Sequence, residues 1–127
     1  MYNYIMVFIG GGIGAVLRFI ITVLSNKFLG AEYPYGTFII NITGSLFLGF
    51  VLALAADRVE NINPNLIIFL TIGIAGGFTT FSTFSYESLV LIKKGEILSS
   101  MSYLFLSPIL GLISAYFGTY LAKLYNN

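Results

Sequence analysis

The chain of 127 residues contains no cysteine, no histidine and no tryptophan. Without the first two it has no disulfide, thiolate nucleophile, imidazole base or usual transition-metal ligand. Charge is nearly as scarce. Lys, Arg, Asp and Glu make up 9% of the residues, too few to cover a water-soluble domain of this size. A net charge of +1 gives no electrostatic basis for a nucleic-acid partner. Period-2 alternation is missing throughout, which argues against strands. No linker or low-complexity tract divides the sequence, so residues 1–127 read as one domain.

What is present is apolar: 57% of the residues are hydrophobic, and the mean hydropathy is +0.93. A spanning helix needs about 20 mostly apolar residues. Four segments qualify, at about 4–24, 34–56, 65–92 and 97–124. The expected fold is therefore an all-α membrane protein with four transmembrane helices. The start, Met1-Tyr2-Asn3-Tyr4, has no basic stretch and no small-residue cleavage site after the apolar run. It reads as a retained first helix, not a signal peptide. Pro34 and Pro64 suit first helical turns.

The third segment is too long for a simple crossing. Its middle, Gly73–Tyr86, reads GIAGGFTTFSTFSY. Gly76-Gly77 is the expected place for a mid-membrane break. Non-helical backbone at membrane depth survives only where protein buries it or where it lines a watery cavity. Short polar side chains beside such a break point to an ion or substrate site.

A second polar stripe lies on the second helix, where Thr37, Asn41 and Ser45 recur every four residues and share one face. Asn41 brings two donors and an acceptor, and burying it unpaired would cost on the order of a few kcal/mol. A lone membrane Asn is most simply helix–helix glue. Two facing polar stripes would instead line a narrow path with donors. Phe81 and Phe84 are three residues apart, about 4.5 Å along a helix axis, among Thr79, Thr80, Ser82, Thr83 and Ser85. Aromatic ring edges are electropositive, so they can line an anion's route without trapping it.

Two ionisable side chains remain within the spans, Arg18 and Glu87. At similar depth, they are expected to pair or to share a solvated vestibule; snorkelling of each to the interface is the plainer reading. Small residues, Gly10 to Gly14 on the first helix and Ser107, Gly111, Ser114 and Gly118 on the fourth, permit close backbone approach, within one chain or between two.

The loop charges carry almost no orientation signal. With the N-terminus inside, Arg58 and Lys123 lie on one side and Lys27, Lys93 and Lys94 on the other. Short-loop Lys/Arg bias sets topology, and a difference of one sets it barely. Such a chain either inserts one way on a weak signal or inserts both ways up. The second case would make an antiparallel homodimer, an inverted repeat from two copies.

With these residues in view, the chain resembles the Fluc (CrcB-type) fluoride channel family over nearly its whole length. GGGIGAVLRF (10–19) is similar to that family's first-helix motif, GTFIIN (36–41) to its second and GGFTTFSTF (76–84) to its third-helix signature. The resemblance implies a dual-topology antiparallel homodimer in the cell membrane, with two pores that export fluoride passively. Phe81, Phe84 and Asn41 would line each pore, with Thr37 one turn from Asn41 and Ser82 and Thr83 beside the phenylalanines. Ser107, with Tyr103 and Ser114, would supply a fourth-helix hydroxyl track. A structural Na⁺ at the dimer axis would be held by backbone carbonyls of Gly76 and Thr79 from both subunits.

The other reading is a small dual-topology, proton-coupled drug exporter. It would need an acid in the first helix, where this chain has Arg18, and usually a nearby Trp. An enzyme is least favoured, since Glu87 is the only acid within a span and no nucleophile–base pair can be assembled.

Overall fold

The computed structural model describes residues 1–57 and 62–126. Arg58, counted above in the orientation bias, lies outside the described residues. Helix α1 is Tyr2–Leu29 and α2 is Tyr35–Asp57. The third span begins as α3 (64–78) and continues after a break as α4, Phe81–Lys93; α5 is Ile97–Asn126. Four helical spans, Tyr2–Leu29, Tyr35–Asp57, Pro64–Lys93 and Ile97–Asn126, are long and apolar enough to cross a membrane. The described residues contain no strand.

The first helix is longer than the hydropathy pattern predicts. It runs through Ser25, Asn26, Lys27 and Phe28 and stops at Gly30, whose φ of 83° only glycine adopts freely. Ser25 is buried near Gly36 while Asn26 and Lys27 are exposed, an arrangement of polar side chains that a hydropathy boundary cannot show. Pro64 occupies the first turn of α3, and Asn63 accepts a hydrogen bond from the Asn65 N–H, supplying the cap. Gly95, at φ 76°, turns the chain tightly from α4 into α5.

The third span departs from a plain helix twice. It is α-helical over Pro64–Ile68 and widens to π-helical turns over Phe69–Ala75. After Gly76–Phe78 the chain becomes extended, with ψ 156° at Thr79 and φ −151° at Thr80. The break therefore falls at Thr79-Thr80, not at Gly76-Gly77 as the sequence predicted. Gly76 is itself right-handed helical, at φ −64° and ψ −39°.

Gly77 and Gly73 serve contact in this region, whereas Gly76 meets no other helix. A Cβ on Gly77 would stand 2.9 Å from the Cα of Gly11, and one on Gly10 the same distance from the Cα of Gly73. A Cβ on Gly14 would collide with the Ile74 carbonyl. In lipid, where apolar burial drives little association, close backbone contact is what holds helices together. Gly118 does the same on α5, against the Leu46 carbonyl and the Phe50 N–H of α2. These small-residue faces pack within the one chain.

Burial is inverted relative to a soluble protein. Phe8, Phe19, Leu98 and Leu112 face outward, while Thr37, Ser88, Ser100, Tyr103 and Ser107 are buried. An outer surface of this kind is suited to hydrocarbon; inside, Thr37, Ser88 and Tyr103 have hydrogen-bond partners, while the buried Ser100 hydroxyl has none among the described residues.

Candidate functional site

Breaking a helix frees backbone groups that must be satisfied again. At Thr80 the partner is Asn41. Its Nδ2 donates to the Thr80 carbonyl at 3.0 Å, and its Oδ1 accepts from the Thr80 N–H at 2.8 Å. The side-chain amide thus replaces the helical bond lost at the Thr80 N–H and adds a second bond to a carbonyl that, at the N-cap, already serves the next helix. Thr80 also caps the new helix: its hydroxyl accepts from the Thr83 N–H at 3.2 Å and donates to the Thr83 hydroxyl at 3.0 Å. Because the Thr80 N–H turns to Asn41, the Gly76 carbonyl loses the partner a continuous helix would give it.

Beside this junction lies a cavity of about 380 Å³ between α2, α4 and α5. Asn41, Ser45, Phe81, Phe84, Ser107 and Pro108 line it. Pro108, inside α5, has no N–H to offer the turn before it. The backbone is thereby opened at the level of the cavity. The sequence contained this signal, a proline inside an apolar run, and it is a part of the site that motif reading missed. Ser45 was also legible, as the third member of the α2 stripe; its hydroxyl donates to the Asn41 carbonyl at 2.6 Å.

A line of rings leads outward from the cavity. Phe81 and Phe84 have centroids 6.0 Å apart, Phe84 and Tyr103 5.0 Å, and Tyr103 and Tyr33 5.7 Å. Tyr103 is fully buried, and its hydroxyl donates to Glu87 Oε2 at 2.7 Å. The Thr37 hydroxyl donates to Glu87 Oε1 at 2.9 Å. The carboxylate is therefore held between α2 and α5 by two hydroxyls, one on each oxygen.

Direct pairing of Glu87 with Arg18 does not occur: among the described residues Arg18 makes no ion pair. The spacing placed the two at similar depth, but Thr37 and Tyr103 already occupy the carboxylate. Arg18 instead lines a separate cavity of about 430 Å³ with Thr22, Thr37, Thr80 and Thr83.

The other predicted site residues divide. The structure brings Asn41, Phe81, Phe84 and Ser107 to one cavity, and places Tyr103 against Phe84. Thr83 faces the Arg18 cavity, and Thr37 joins that cavity to Glu87. Ser82 is exposed in the single chain, 3.4 Å from the Thr80 hydroxyl. On α5 the hydroxyl row ends at Ser107, because Gly111 and Ala115 line the cavity beyond it; Ser114 is half-buried. Gly76 is exposed, and Thr79, half-buried, donates through its own hydroxyl to the Ala75 carbonyl at 2.9 Å.

The family described as "CrcB-like protein, Camphor Resistance (CrcB)" matches residues 5–119. A protein of Flavobacterium psychrophilum named fluoride-specific ion channel FluC is 39% identical over 115 residues, 91% of this chain and 92% of that one. A Phocaeicola vulgatus protein of the same name is 39% identical over 123 residues, 97% of this chain and 100% of its own. Another from Aquifex aeolicus is 37% identical over 115 residues, 91% of this chain and 92% of that one. The match covers nearly the whole chain and every element that builds the cavity, so this protein belongs to the CrcB-like family.

Proposed function

We propose that the protein is a fluoride-selective ion channel that lets F⁻ leave the cytoplasm passively across the plasma or inner membrane. It is a conduit and not an enzyme, in keeping with the relatives' name. The observation that carries this reading is the open cavity where Phe81, Phe84, Asn41 and Ser107 meet beside a helix break.

Fluoride is small and strongly hydrated, so a narrow passage must offer replacement donors. Ring edges of Phe81 and Phe84 are weakly electropositive, and the Ser107 hydroxyl has no other partner among the described residues. Asn41 spends one amide N–H on Thr80 and keeps a second for the anion. Tyr103 commits its hydroxyl to Glu87, so it meets the anion with its ring. Each contact is weaker than a full charge, which suits an ion that must also leave.

The working unit in this reading is an antiparallel homodimer with two such pores. A single chain exposes Phe81, Ser82, Thr83, Ser85 and Tyr86 together, a polar and aromatic face poorly suited to lipid. The near-zero loop bias permits insertion both ways up. At the axis, the freed Gly76 carbonyl and that of Thr79, with their symmetry mates, fit a hard monovalent cation such as Na⁺. No group of three or more His, Cys, Asp or Glu competes for a metal among the described residues. The ion would tie the two broken helices together and takes no part in conduction.

The test is ion efflux from liposomes holding the purified protein. Fluoride leaves rapidly when a counter-ion path is provided, chloride stays, and no pH gradient is needed. Flux that requires a proton gradient would restore the drug-exporter reading, for which α1 has no acidic residue.

A further inference from the structure

A smaller cavity, of about 240 Å³, opens beside the connection between α1 and α2, where Glu32, Tyr33 and Pro34 face Tyr86, Glu87 and Lys94. No residue lines both this cavity and the one beside Asn41, but a chain of contacts through Tyr103 links them. Glu87, on its inner side, is bonded to Tyr103, whose ring lies on Phe84. Phe84 in turn lines the cavity beside Asn41. Tyr33, also in the lining, packs edge-on against the Tyr103 ring.

The charges here are adverse to an anion. Glu87 and Glu32 both line the cavity, and the C-terminal end of α4, a few residues beyond Glu87, carries the negative pole of its dipole. Lys94 is the one opposing charge among the lining residues. It is exposed and makes no ion pair among the described residues. Its backbone closes the last turn of α4, with its N–H directed at the Val90 and Ile92 carbonyls, just before the Gly95 turn. The backbone of Lys94 is thus fixed beside the cavity that its residue lines, and its exposed side chain can meet an ion there.

Given the channel reading above, we propose that this cavity is the aqueous mouth of the fluoride path and that Lys94 recruits the anion there against the field of Glu32 and Glu87. A charge at a low-dielectric mouth raises the local concentration of its counter-ion, and salt removes the effect. The Debye length is roughly 30 Å at 0.01 M and roughly 3 Å at 1 M.

The experiment measures fluoride efflux from liposomes at subsaturating fluoride, in impermeant salt at both ionic strengths. At low salt Lys94→Gln lowers the rate by about twofold and Glu32→Gln raises it by a similar factor; at high salt both match wild type. Lys93→Gln, which removes the same charge one residue away and outside the cavity lining, has the smaller effect. Equal effects of the two lysine variants, no effect at low salt, or an effect that persists at high salt overturns the assignment. Loss of all flux in the wild type would instead overturn the channel reading itself.

Discussion

Asn41 has the most to do of any residue in this chain, and its work is partly architectural. It satisfies both backbone groups of Thr80 at a break inside a membrane span. Asn41→Leu leaves the Thr80 N–H unpaired, at about 1–3 kcal/mol, while the Thr80 carbonyl keeps the first bond of the helix it caps. The variant is expected to show a clearly lowered melting temperature in detergent as well as reduced fluoride flux. An unchanged melting temperature would mean that water or another side chain satisfies Thr80. The sequence made Asn41 visible as a polar group in an apolar helix, but could not show its partner, 39 residues away. For the same reason Glu87 was legible as a buried acid while its partners were not. Thr37 and Tyr103 reach it from two other helices, and depth along the spans had pointed to Arg18 instead.

At the scale of elements, four spans were readable from hydropathy alone, because length and apolar content are local properties. The position of the break was not. Gly76-Gly77 looks like the weak point by propensity, yet tertiary contact decides otherwise: Gly73 and Gly77 give α1 room to touch α3, and the chain departs from helix where Asn41 and the Thr80 cap can compensate it. The close contact of α5 with α2 at Gly118 supplies a clean test. Gly118→Val would drive two methyl groups toward the Leu46 carbonyl and the Phe50 N–H, which backbone cannot yield cheaply. Overpacking typically costs about 1–3 kcal/mol, so this variant is expected to purify poorly or melt early. Gly12→Val on α1, with nothing within 4 Å of its Cβ position, is expected to behave as wild type by the same thermal measurement.

At the scale of the whole molecule, the features left open in one chain would come together in the proposed pair. The exposed face of α4 needs cover, the Gly76 carbonyl needs a ligand, and the loop charges leave orientation nearly undetermined. The expected assembly is a stable homodimer with opposed subunits that retains Na⁺ through purification in sodium-free buffer. Flame photometry on the washed protein should find about one ion per dimer, as one site on a two-fold axis requires. A monomer by light scattering, or a sodium-free dimer of unchanged stability, would contradict that picture.

The central claim is that fluoride passes through the cavity ringed by Phe81, Phe84, Asn41 and Ser107. The most direct measurement is fluoride efflux from liposomes for wild type, Phe81→Ile and Phe84→Ile, each first checked for intact assembly. The account predicts that either substitution, which replaces an electropositive ring edge with an aliphatic chain, slows efflux by about tenfold, equivalent to ~1.4 kcal/mol on the barrier. Wild-type rates from both correctly assembled variants would place the anion's route somewhere else.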